Sequence, residues 1–191
     1  NEHMAAFVEA LGIRPAALVG NSMGGATALG VAMTRPELVS KLVLMGSAGL
    51  RTADQGPPSS AIVDYDFTVE GMRRLVTALT GSRYRADEAT IQYRHQLSID
   101  PPTRAALNAI NADTKKGGLI YKEDDIRKVE TPTLVVNGKE DIVSSLGRAL
   151  KFLELLENSW GYIVPHAGHW VMIEAPDDFY RVVSGFLGGA R

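Results

Sequence analysis

The stretch Leu18-Val19-Gly20-Asn21-Ser22-Met23-Gly24-Gly25 constrains this chain more than any other. The apolar run 16–19 enters it in the manner of a buried strand, and Ala26, Leu29, Gly30 and Met33 leave it at helical spacing. Between them lies Gly20-x-Ser22-x-Gly24, the nucleophile-elbow pattern. A strand that turns at once into a helix forces the residue at the bend into a strained conformation and lifts its side chain clear of the sheet edge. The two glycines are expected because side chains would collide in so tight a turn. A pattern this short also arises by chance in loops. The strand before it and the helix after it give it weight.

The elements around the bend extend the same plan. Met4, Phe7, Val8 and Leu11 predict an amphipathic helix over 2–11, with Gly12 as its stop and Pro15 barring continuation. After helix 23–34, Arg35-Pro36 breaks the chain, and 41–46 is a second short apolar run. Strand, helix and strand in succession make a βαβ unit, hence a parallel sheet with a right-handed crossover. The texture changes at Gly49. Residues 51–61 read as a mobile loop. Helices are expected over 67–80, over 87–97 with Asp87 as N-cap, and from Pro101-Pro102 to about Ile110 with Leu107 on the apolar side. Three helices with no clear strand between them predict an inserted helical lid; surface helices packed on the sheet are the alternative. The parallel pattern resumes with a strand at 131–138, a helix at 145–156, a strand at 161–164 and a final helix from Pro176 through Phe179, Val182, Val183, Phe186 and Leu187. The expected organisation is therefore core over 1–49, lid over 50–124 and core over 125–191.

Composition removes several functions. The 20 basic and 22 acidic residues give a net charge of −2, which offers no case for nucleic acid or an anionic membrane. The chain has no cysteine, which excludes disulfides, thiolate metal sites and a cysteine nucleophile, and is compatible with a cytoplasmic location. No apolar run approaches the ~18 residues of a membrane span. The chain opens on Asn1-Glu2-His3 rather than on a basic segment followed by an apolar one, so no signal peptide is expected.

Serine is a poor nucleophile unaided, so Ser22 needs a base, and the base an acid to orient it. The four histidines are His3, His95, His166 and His169. In an open parallel sheet, catalysis sits at the loops after the strands. His166 and His169 follow the fourth strand, whereas His3 and His95 fall on expected helices. His169, beside Gly168, is the candidate base, and His166 is assigned a structural role. Asp141, a short turn after the third strand, is the candidate orienting acid, with Glu140 its competitor. Adjacent turn residues point apart, so one of the two serves. The backbone N–H of Met23, at the helix start, is the candidate oxyanion donor.

With its order Ser22, Asp141, His169, the chain resembles the α/β-hydrolases. It is similar, more narrowly, to the carbon–carbon bond hydrolases that cleave meta-ring-fission products of aromatic degradation. The resembling residues are 20–29, Lys41-Leu42-Val43-Leu44-Met45-Gly46, Gly138-Lys139-Glu140-Asp141 and Gly168-His169-Trp170. The resemblance implies a dienol-keto acid substrate that is ketonised and then hydrolysed, releasing a 2-hydroxydienoate and a carboxylic acid. It implies substrate-binding roles for Asn21 before the serine and Trp170 after the histidine. It also implies that Arg94, in Tyr93-Arg94-His95, binds the substrate carboxylate, a task its planar fork suits. No cofactor or metal is implied.

The resemblance also implies four more strands before residue 2 and a second oxyanion donor from a His-Gly-type loop among them. The expectation is thus the C-terminal part of an α/β-hydrolase fold, a four-stranded parallel sheet with flanking helices and an inserted lid. The missing strands would come from an N-terminal segment of the same protein or from another copy in a homo-oligomer. A hole with one donor missing loses about 10²–10³ in rate. Three functions follow: the C–C hydrolase, an esterase or other small-molecule acyl hydrolase with the same triad, and a catalytically silent binding module.

Overall fold

The computed structural model describes residues 1–54, 56, 59–116 and 119–189. Gln55, Pro57 and Pro58 of the expected 51–61 loop, Gly117 and Gly118 of the 50–124 span, and residues 190–191 lie outside the described residues.

Helix α1 (Glu2–Ala10) leads to β1 (Ala16–Asn21), α2 (Met23–Thr34) and, after a 3₁₀ turn at Pro36–Leu38, β2 (Val39–Met45). The inserted stretch then holds α3 (Ser60–Val63), α4 (Val69–Leu79), α5 (Glu88–Ile99) and α6 (Pro101–Lys115). The chain returns through α7 (Glu123–Ile126), β3 (Thr133–Gly138), α8 (Leu146–Leu155), β4 (Ser159–Val164), α9 (Val171–Glu174) and α10 (Pro176–Gly188). All four strands are parallel, in the order β1-β2-β3-β4. β1 therefore stands at an edge, with β2 as its partner among the described residues.

Alternation along the inner strands sets the layers. Leu42 and Leu44 of β2 face one side and join a cluster with Leu29 and Val31 of α2, Val8 of α1 and Phe152 of α8. Val43 and Met45 face the other, where Leu134, Val136, Val164 and Val183 of α10 complete a second cluster. A third cluster lies among the inserted helices, through Met72, Val76, Leu79 and Ile91, and it takes in Trp170. The caps agree with the local sequence. Thr68, Asp87 and Ser145 each accept a backbone N–H of the first turn they precede, at Gly71, Thr90 and Arg148. Pro176 occupies the first turn of α10.

Three expectations need correction. In α1 the buried residues are Ala5 and Val8; Phe7 and Leu11 of the expected apolar face stand more than half exposed. The third inserted helix runs on past Ile110 to Lys115. The glycine requirement in the bend falls on Gly20 and Gly25 rather than Gly24. A Cβ on Gly20 would sit 2.4 Å from the Gly24 backbone and one on Gly25 2.4 Å from Ser47 Oγ, while one on Gly24 meets nothing within 4 Å.

Candidate active site

Ser22 caps α2 with φ 55° and ψ −119°, a positive φ in a residue that carries a Cβ. Its backbone is held from β2. Its N–H donates to the Met45 carbonyl at 3.0 Å, and its own carbonyl accepts from Ala48, Gly25 and Ala26. The hydroxyl-bearing residue thus stands at the carboxyl edge of the sheet, with Met23 opening the helix behind it. The first N–H groups of a helix have no partner within it, so the Met23 amide is free to donate outward.

Asp141 and His169 meet at the same edge. His169 Nδ1 lies 2.8 Å from Asp141 Oδ2, and the two side chains are 4% and 0% exposed. The other carboxylate oxygen, Oδ1, accepts the N–H groups of Val143 and Ser144, both at 2.8 Å. One oxygen is anchored by backbone and one is aimed at the imidazole. Against an ionised carboxylate Nδ1 is the donor, which leaves Nε2 as an acceptor. Gly46, at the end of β2, leaves the space this pair needs: it has φ 48°, and a Cβ there would lie 2.9 Å from His169 Nδ1 and 3.0 Å from Asp141 Oδ2.

Glu140 is engaged elsewhere. It accepts the Ser82 N–H at 2.6 Å and the Ser82 hydroxyl at 3.1 Å, and it faces His166 Nδ1 at 3.3 Å. Those Ser82 bonds, the backbone one foremost, hold its carboxyl below the ordinary value. His95, on α5, has Nε2 3.1 Å from the Phe67 carbonyl, and His3 lies in α1.

The remaining candidates take two kinds of place. Arg94 lines a cavity of about 660 Å³ together with Ser22 and Met23. Its guanidinium lies 4.3 Å from the Trp170 ring centroid, and its Nε is buried without a hydrogen-bond partner. Burial lowers its pKa, which marks the charge as incompletely solvated. Asn21 and Trp170 are not among the cavity-lining residues. The Asn21 amide donates to the Met45 carbonyl at 3.1 Å and to the His169 carbonyl at 3.2 Å, tying the histidine loop to the bend. Trp170 backs Arg94 from below.

The group that holds the histidine loop is not among the residues the sequence pointed to. Glu174, in α9, accepts N–H groups from Gly81 at 2.6 Å, Gly168 at 3.0 Å and Trp170 at 3.1 Å. The His169 N–H donates to the Leu79 carbonyl at 2.8 Å. Glycines permit this crossing: a Cβ on Gly81 would lie 2.3 Å from the His166 carbonyl oxygen, and one on Gly138 2.1 Å from that of Gly168. The sequence signal was slight, a lone acid one turn beyond Trp170.

Among the described residues no three His, Asp or Glu side chains stand close enough to hold a metal. No helix of those residues is long and apolar enough to cross a membrane.

Comparison with known proteins adds to this geometry. A family model described as the α/β hydrolase fold matches residues 1–176. The 2-hydroxy-6-oxo-6-(2'-aminophenyl)hexa-2,4-dienoic acid hydrolase of Metapseudomonas resinovorans is 48% identical over 187 residues, 97% of this chain and 64% of that protein. The 2-hydroxymuconate semialdehyde hydrolase of Pseudomonas putida is 34% identical over 200 residues, 99% of this chain and 68% of that protein. Among solved structures, a meta-cleavage product hydrolase from Pseudomonas fluorescens IP01, complexed with acetates, superposes with a TM-score of 0.91 at 29% identity. That match covers 99% of this chain and 70% of the other. The chain thus spans about two thirds of the length of the relatives it matches.

Proposed function

The chain belongs to the α/β-hydrolase family, and from that premise we propose that it carries the catalytic residues of a serine hydrolase that cleaves a C–C bond in 2-hydroxy-6-oxo-dienoates from aromatic ring fission. Ser22 is the nucleophile on its elbow, His169 the general base through Nε2, and Asp141 the acid that fixes the ring and stabilises the imidazolium. Met23 N–H is an oxyanion donor. Helices α3–α6 form the lid. The substrate is a small molecule, and the location is cytoplasmic.

The chemistry suits these groups. Ketonisation moves a proton to C5 of the dienol, so that C5 lies between the C6 carbonyl and an enone. The Ser22 oxygen adds to C6 as His169 takes its proton. Collapse breaks the C5–C6 bond, and the electron pair runs through the enone to the C2 oxygen as a dienolate, which is a far better leaving group than an isolated carbanion. The imidazolium gives its proton to the dienolate oxygen, which leaves as the 2-hydroxydienoate. Neutral His169 then takes a proton from water as the hydroxide adds to the acyl carbon, and returns it to the Ser22 oxygen as the carboxylic acid departs.

Arg94 is the observation that carries this reading over simple ester hydrolysis. A buried Nε without a partner, on a guanidinium stacked over Trp170 inside the Ser22 cavity, is a site prepared for a carboxylate. Asn21 and Trp170 are placed in support, one holding the histidine loop and the other the arginine.

The test supplies a yellow dienol-keto acid and an aryl ester to the unaltered protein and to its Ser22→Ala, Asp141→Asn and Arg94→Met forms. Loss of dienol colour that depends on Ser22, falls about 10³–10⁴-fold in Asp141→Asn and weakens in KM for Arg94→Met is expected. Ester cleavage with no dienoate turnover returns the esterase reading, and neither reaction leaves a binding module.

A further inference from the structure

Three arginines, Arg51, Arg94 and Arg148, line the cavity at Ser22, and among the described lining residues there is no aspartate or glutamate. The reaction above uses Arg94. It does not use Arg148, which enters from α8 and is 4% exposed. One of its terminal nitrogens, Nη1, donates to the Ser47 carbonyl at 3.4 Å, and its Nε is buried without a hydrogen-bond partner. Nearby acids are committed elsewhere. Asp141 is bonded to His169, Val143 and Ser144. Asp54 is exposed, lies against Gly147 and does not line the cavity. Burial lowers the Arg148 pKa, Asp141 and Asp54 oppose that shift, and Arg51, which lines the same cavity, adds to it by repulsion. A buried cation with an unfilled donor is costly unless a ligand completes it.

We propose that Arg148, with Arg51 beside it, forms a second anion subsite in this cavity, and that the substrate bears a carboxylate on the acyl arm beyond C6 in addition to the one met by Arg94. The guanidinium fork presents Nε and a terminal nitrogen to both oxygens of such a group. Leu50, 2% exposed, and Val143 line the cavity too, and an apolar surround strengthens the pairing. Water adds its hydroxyl to the acyl carbon and its proton to the departing dienolate, so the acid product is a dicarboxylate. The subsite rests on the C–C hydrolase reading only for which substrate fills it.

The test compares kcat/KM for two dienoates that differ in the acyl arm, one phenyl and one carboxyphenyl. The unaltered protein is expected to prefer the carboxyphenyl arm, and Arg148→Met to shrink that preference about 10- to 100-fold, with Arg148→Lys retaining part of it. A preference for the phenyl arm, or a ratio unmoved by Arg148→Met, overturns the proposal. An NMR titration of the unaltered protein with phthalate and with benzoate needs no variant and no turnover. A shift of the Arg148 Nε–H signal with phthalate alone is expected, and its absence overturns the subsite. Failure of both dienoates to react, with that shift intact, removes the C–C reading and leaves the subsite standing.

Discussion

Ser22 keeps its positive φ because the end of β2 and the turn after it hold it on both sides, through the Met45 carbonyl and the Ala48 amide. The strain of such a residue, of order 1–3 kcal/mol, persists only where the surroundings over-determine it. The glycines around it divide accordingly. Gly24→Ala is expected to be neutral or to stabilise by about 0.5–1 kcal/mol, since the residue lies in α2 with open space before it. Gly20→Ala is expected to cost about 1–3 kcal/mol, because its new methyl meets backbone that cannot rotate away. Thermal melting of the two variants checks this, and equal melting temperatures would remove the distinction. The motif was legible in the sequence, but its steric reason was not. Gly20 is crowded by the Gly24 backbone folding back over it, and Gly25 by Ser47, which lies beyond helix α2 and strand β2.

Strands and long helices were legible because each carries a period long enough to read. α2, α8 and α10 fall within a residue or so of expectation, and Asp87 caps α5 as its side chain suggests. The four-residue helices α3, α7 and α9 were not legible, since a single turn shows no repeat. The loss matters most at α9, whose Glu174 takes three backbone N–H groups from two separate segments. Asp141 and His169 were legible from the strands that precede them, whereas no spacing reveals that Glu140 turns instead to Ser82. Glu174→Gln is expected to destabilise the protein by about 1.5–3 kcal/mol, the worth of bonds to a charged acceptor. Because those bonds flank His169, kcat should fall more than KM rises. Denaturant unfolding alongside steady-state kinetics would detect both, and a stability loss with kcat untouched would confine Glu174 to the scaffold.

On the scale of the molecule, β1 is an edge strand of the sheet among the described residues, and its Val19 is 47% exposed. Phe7, Leu11 and Ile13, just before it, are exposed as well. An apolar edge strand with open N–H and C=O groups is a template for another strand. This chain alone is therefore expected to self-associate with rising concentration, and Val19→Lys to reduce that association, as light scattering across a dilution series would record. A scattering mass independent of concentration would contradict it. The junction at Gly81 bears on motion. Leu79, which ends the first long helix of the insertion, accepts the His169 N–H, and Gly81, just beyond it, donates to Glu174 of α9. That end of the insertion is a fixed post, so any opening of α5 and α6 would pivot further along the chain and leave the imidazole docked against Asp141.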